Sequence, residues 1–152
     1  MVADCYSCTT EAVLDTAPPR EAVHVEERWR VAHAFDTSLP GWLVLLPRRH
    51  VTSLDELDPD EAADLGRLMA STSRALREVT GASKAYAVFF AEAEGFAHLH
   101  VHLVPRMPWF TPEQVGPRVF GFLGASDADR VPYADQDALA LRLRESLVQG
   151  SE

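Results

Sequence analysis

Three histidines occupy every second position of one short apolar run, His98-Leu99-His100-Val101-His102-Leu103-Val104-Pro105. A period of two is the period of a β-strand, so the three imidazoles share one face while Leu99, Val101 and Leu103 share the other. With a rise of ~3.3 Å per residue, neighbouring rings start roughly 6.6 Å apart. A row of imidazoles is a poor way to build a core. It is a good way to align metal ligands, a nucleophile and a proton donor. The pattern predicts a strand over 96–104.

The chain has 152 residues, enough for one domain with a sizeable core. Its 47% hydrophobic and 24% charged residues are ordinary for a soluble globular protein. No apolar run is long enough to cross a membrane and no basic-then-apolar leader is visible, so a cytoplasmic protein with no membrane partner is expected. A net charge of −9 argues against a nucleic-acid partner, while leaving room for a local basic pocket that takes a small phosphate ligand. The cysteines are Cys5 and Cys8. A disulfide between them would close too small a loop to stabilise much. A redox pair normally follows a strand and opens a helix, and only four residues precede Cys5.

Alternating patterns predict strands over 21–27 and 29–35, and the apolar run 42–46, closed by Pro47, predicts a buried third. Asp58-Pro59-Asp60-Glu61 is a helix start: an Asp cap, a Pro in the first turn, then acids facing the dipole. That helix should run to Val79 and stop at Gly81, with Leu65, Leu68, Met69, Thr72, Leu76 and Val79 facing inward. A strand over 85–91 precedes the histidine strand. Its Val88-Phe89-Phe90 lacks alternation and predicts burial on both faces. The stretch 105–117 reads as a long loop and 134–148 as a C-terminal helix. The fold class is α+β, an antiparallel sheet flanked by helices. A single domain over 1–152 is expected, its core at 5–109 and a C-terminal loop and helix at 110–152.

The run from His98 to Val104 resembles the signature of the histidine triad (HIT) superfamily, His-φ-His-φ-His-φ-φ with φ apolar. Phe35-Asp36 followed by Pro40-Gly41 resembles that family's ribose-contacting segment. Leu43-Val44-Leu45-Leu46-Pro47-Arg48-Arg49-His50 resembles its strand ending in Pro-basic-basic-His. The resemblance covers residues 5–109. It implies a HIT-like fold, usually a homodimer, that acts on nucleotides by hydrolysis or transfer at the α-phosphate.

The resemblance also implies residue roles. Zinc-bearing branches have an N-terminal Cys-x-x-Cys, the His after the basic pair and the first triad His, which here are Cys5, Cys8, His50 and His98. Two thiolates and two imidazoles suffice for tetrahedral zinc with no open position, hence a structural Zn²⁺. The intervals in sequence do not establish that the four converge. Two other readings stand beside it: free thiols at the terminus, and a catalytic metal held by the triad itself. His100, the middle histidine, corresponds to the nucleophile, and His102 to the residue that holds a phosphate oxygen or protonates the leaving group. Phe35 and Asp36 are candidate nucleoside contacts, Asp36 through ribose hydroxyls. Glu94 stands where many members carry a phosphate-contacting Gln, and Arg106 is a candidate phosphate contact. Trp42 replaces a His that often follows the Gly of that strand. The expected activity is a nucleotidyl hydrolase for dinucleoside polyphosphates or nucleoside phosphoramidates, with an adenine nucleotide as the expected ligand. The alternative from Glu94 is a non-catalytic nucleotide-binding protein.

Overall fold

The computed structural model describes residues 4–150. Five strands form one sheet in the order β1-β2-β3-β5-β4: β1 His24–Val25, β2 Trp29–His33, β3 Leu43–Pro47, β4 Lys84–Val88 and β5 Val101–Arg106. Every neighbouring pair is antiparallel. The helices are α1 Tyr6–Glu11, α2 Pro59–Thr80 and α3 Tyr133–Gln149. This is the expected α+β architecture.

The alternation in each strand sorts the sheet into two faces. Val31, Leu43, Leu45, Val101 and Leu103 join Leu65, Leu68 and Leu76 of α2 and Ala140, Leu143 and Leu147 of α3 in the main core. The opposite face is held in register by the pairs Arg30↔Leu46, Ala32↔Val44, Val44↔His102 and Val88↔His102. This second face carries His102 of the histidine run.

Helix α2 starts and stops where its sequence says. Glu61 N–H donates to Asp58 Oδ1 (2.8 Å) and Asp58 N–H donates to Glu61 Oε2 (2.9 Å), a reciprocal cap on the orphan amides. Gly81 ends the helix at φ +78, a left-handed conformation that costs glycine little. The buried Glu61 carboxylate also receives Arg49 Nη2 at 2.7 Å and Nε at 3.0 Å. The helix start therefore anchors the loop that carries His50.

Four expectations change. The first strand shrinks from 21–27 to His24–Val25, because Pro19–Glu21 forms a 3₁₀ turn. The histidine strand moves from 96–104 to Val101–Arg106. Continuing the β3–β5 register sets Pro47 opposite Leu99, and proline has no N–H for the ladder. Leu99 N–H turns instead to Val51 O at 2.7 Å. The strand over 85–91 becomes Lys84–Val88, an edge strand, and Phe89 and Phe90 are 39% and 67% exposed rather than buried on both faces. The loop over 105–117 instead continues β5 to Arg106 and then forms 3₁₀ turns at Pro112–Gln114 and Gly116–Phe122. These turns close a second apolar cluster of Ala34, Leu39, Trp42, Val104, Phe110 and Val119. Among the described residues, no helix is long and apolar enough to cross a membrane.

Candidate active site and metal centre

The cysteines open α1. Cys5 is its N-cap and its Sγ accepts from Cys8 N–H at 3.4 Å. This turn lies against the end of β3 and the start of the histidine run. Cys5 Sγ is 3.6 Å from His98 Nδ1, Cys8 Sγ is 3.3 Å from His50 Nδ1 and 3.7 Å from His98 Nδ1, and the two Nδ1 atoms are 3.3 Å apart. Zinc binds sulfur at ~2.3 Å and imidazole nitrogen at ~2.0–2.1 Å, so tetrahedral geometry sets N···N edges of about 3.3 Å and S···N edges of about 3.6 Å. The Nδ1···Nδ1 edge and three of the S···N edges lie close to those spacings, and all four donor atoms lie within 4.8 Å of one another. Sequence left this convergence open, and the fold supplies it.

His98 is oriented for that role from its other side. Its Nε2 lies 2.8 Å from Pro47 O, an atom that only accepts, so the proton is on Nε2 and Nδ1 presents its lone pair to the cluster. Burial, followed by the charges of His50, Arg30 and His100, lowers the His98 pKa and favours the neutral ring that a metal requires.

His100 and His102 leave this cluster and line a cavity of ≈ 330 Å³. Their rings meet edge to face with centroids 4.9 Å apart. Each ring has one nitrogen committed, and the commitments are opposite. His100 Nδ1–H donates to His98 O at 2.8 Å, so its Nε2 carries a lone pair. His102 Nδ1 accepts the indole N–H of Trp42 at 3.0 Å, so its neutral ring carries the proton on Nε2. Burial, followed by the neighbouring His100, lowers the His102 pKa to about 4.

The cavity floor is the small apolar row Ala32, Val44 and Leu46 of the sheet. Phe35 and Asp36 line it, and Asp36 Oδ2 accepts from Gly124 N–H at 3.2 Å. Phe35 lies within an aromatic group with Tyr6 (centroids 5.2 Å) and Phe96 (6.0 Å). Glu94 and Arg106 are not in the lining. Glu94 is exposed on the turn before Phe96, and Arg106 Nη1 turns to Met107 O at 3.3 Å. Ala93, beside that turn, lines the cavity, and Glu94 does not.

Sequence reasoning missed Tyr6, Ser7, Glu21 and Arg30, which also line the cavity. Tyr6 and Ser7 lie between the cysteines, so whatever holds Cys5 and Cys8 also presents them. Burial and the Glu21 carboxylate push the Tyr6 phenol up to about 12, and its O–H donates to Glu21 Oε1 at 3.0 Å. Arg30, 2% exposed, pairs with Glu11 at 3.2 Å and Glu21 at 3.8 Å. A buried guanidinium with acidic partners was the one signal available, and its strand position hid it.

A family model described as "HIT domain" matches residues 16–108 of the sequence. Among solved structures, the chain is similar to a zinc-bound histidine triad family protein from Mycobacterium smegmatis, with 20% identity over 95% of this chain and 96% of that one and a TM-score of 0.69. It is similar to a histidine triad (HIT) protein from Sinorhizobium meliloti 1021 at 25% identity, over 89% and 93% of the two chains, TM-score 0.69. It is also similar to a hypothetical histidine triad nucleotide-binding protein from Sulfolobus tokodaii strain7 at 18% identity, over 93% of each chain, TM-score 0.70. No curated protein matches the sequence.

His33, among the residues lining the cavity, provides a test of this placement. Its Nδ1–H donates to Ala34 O at 2.8 Å and its Nε2 accepts from Gly41 N–H at 3.0 Å, so a second proton would face a donor. Burial lowers its pKa to about 4. The unfolded chain, near 6.5, then takes up the proton first. The resulting stability is complete above pH ~6.5 and is lost as pH falls toward 4, on the order of 3 kcal/mol. In a nuclear magnetic resonance titration the His33 ring signals should stay flat from pH 8 to 5. Titration near 6.5 would contradict this placement.

Proposed function

The chain belongs to the HIT domain family, and from that premise we propose that it is a nucleotidyl hydrolase whose nucleophile is His100. The observation that carries this reading is the opposed pair of ring nitrogens in the cavity: a lone pair on His100 Nε2 and an N–H on His102 Nε2. Attack by His100 Nε2 forms a P–N bond at the α-phosphorus of a dinucleoside polyphosphate or a nucleoside phosphoramidate. The bond from phosphorus to the leaving group breaks, and its electron pair departs with the leaving group. Water then adds to phosphorus and gives up a proton to solvent, the P–N bond breaks, and the electron pair returns to Nε2. His98 O, holding Nδ1–H, stabilises the positive charge that His100 carries in the intermediate. His102 Nε2–H hydrogen-bonds a phosphate oxygen or the leaving atom.

The nucleoside of an adenine nucleotide would lie over Ala32, Val44 and Leu46, beside Phe35 and Phe96, with its ribose at Asp36. That Glu94 is exposed and not among the cavity-lining residues favours catalysis over binding alone. Zinc on Cys5, Cys8, His50 and His98 would supply a closed structural centre. A metal on the triad itself is disfavoured, since His98 belongs to the cysteine cluster while His100 and His102 have committed their Nδ1 atoms elsewhere.

His100→Ala should lower turnover of a fluorogenic nucleoside phosphoramidate by at least about 10³-fold with nucleotide binding retained. Turnover close to wild type would end the reading. Purified protein should hold one zinc per chain by elemental analysis, and Cys5→Ser with Cys8→Ser should abolish it and lower the melting temperature. Undiminished metal in that double variant would exclude these ligands. The edge strand β4 and the exposed Phe89 and Phe90 support a homodimer paired through α2 and β4. Light scattering at micromolar concentration should give twice the chain mass of 16.8 kDa. A clean monomer would refute it.

A further inference from the structure

His102 Nδ1 accepts the Trp42 indole N–H, and we propose that Trp42 is a positioning residue that locks His102 as a fixed Nε2–H donor toward the nucleotide. The inference rests on the hydrolase reading for its consequence in catalysis, but the lock itself is a property of two side chains. Indole N–H is a donor with no acceptor capacity. Held 3.0 Å from Nδ1, it leaves that nitrogen one role, acceptance. A neutral imidazole has one proton, so the proton must be on Nε2.

The surroundings make Trp42 unable to turn away. Its side chain is fully buried in the cluster of Ala34, Leu39, Val104, Phe110 and Val119. Phe120 contacts both rings of the pair, at centroid distances of 5.5 Å from Trp42 and 5.5 Å from His102. His102 pairs across the sheet with Val44 on β3 and Val88 on β4. Of the groups packed against the ring, His100 is the one that can carry charge, and a cationic intermediate there further disfavours a second proton on His102. A histidine in place of Trp42 would be able to donate or accept, and either His102 tautomer would then be satisfied. Tryptophan removes that choice. The donor facing the phosphate is then present at every pH where the fold is intact.

Nitrogen-15 resonance of labelled protein reads the lock directly. Wild type should show His102 with Nε2 protonated and Nδ1 bare from pH 8 to 5. Replacing Trp42 by its benzothiophene isostere preserves shape and deletes the N–H. It should return His102 to titration with an apparent pKa at least about one unit higher. It should also lower kcat on the order of tenfold with KM within about twofold, with the loss deepest above the raised pKa, where a neutral His102 is free to carry its proton on Nδ1. Trp42→Phe should behave alike if it folds. Wild-type His102 protonated at Nδ1, or an isostere with wild-type resonances and kcat, would overturn the proposal. A wild-type protein that shows the single tautomer, lost in the isostere, yet turns over no nucleotide would refute the hydrolase reading and leave the lock standing.

Discussion

The site hangs on His98. Its Nε2–H is held by Pro47 O, its Nδ1 completes the cysteine–histidine cluster, and its backbone carbonyl takes Nδ1–H of His100. One residue therefore sets the geometry of both the cysteine–histidine cluster and the candidate nucleophile. Moving the His98 ring breaks the cluster, and moving its peptide frees the wrong nitrogen of His100. Pro47 contributes twice, by ending the ladder opposite Leu99 and by offering the carbonyl that orients the ring.

The second organising feature is the difference between the two remaining histidines. They are two residues apart on nearly continuous extended chain, chemically identical, and poised oppositely. A backbone carbonyl beside one and an indole N–H beside the other produce a lone pair and a donor at adjacent points of one cavity. Burial maintains the arrangement, because a desolvated imidazole that already accepts a hydrogen bond resists a second proton. The same logic recurs at His33, which donates to Ala34 O and accepts from Gly41 N–H. His33 and His102 are thus satisfied as neutral rings.

Much of the fold was legible because its signals are local. The Asp58 cap, Pro59 and Gly81 bound α2 within a residue, and the alternation of 101–104 set the inward face of β5. The late start of the histidine strand was not legible, because it depends on which residue of β3 stands opposite Leu99. Nor was the exposure of Phe89 and Phe90, since an apolar run reads the same whether it is covered by its own chain or lies at a sheet edge.

By itself the sequence determined the residue types and the period: three imidazoles on one side of a strand, two thiols at helical spacing, and a Trp where a His is common. Only the tertiary structure decided their division of labour. Residues 42 and 48 positions apart met as donor atoms of one cluster, Glu94 and Arg106 fell outside the cavity, and Tyr6, Ser7, Glu21 and Arg30 entered it. The physical reason is that hydrogen-bond direction and ligand distance are properties of pairs of atoms in space. Sequence specifies each partner, and the register of the strands specifies which partners face each other.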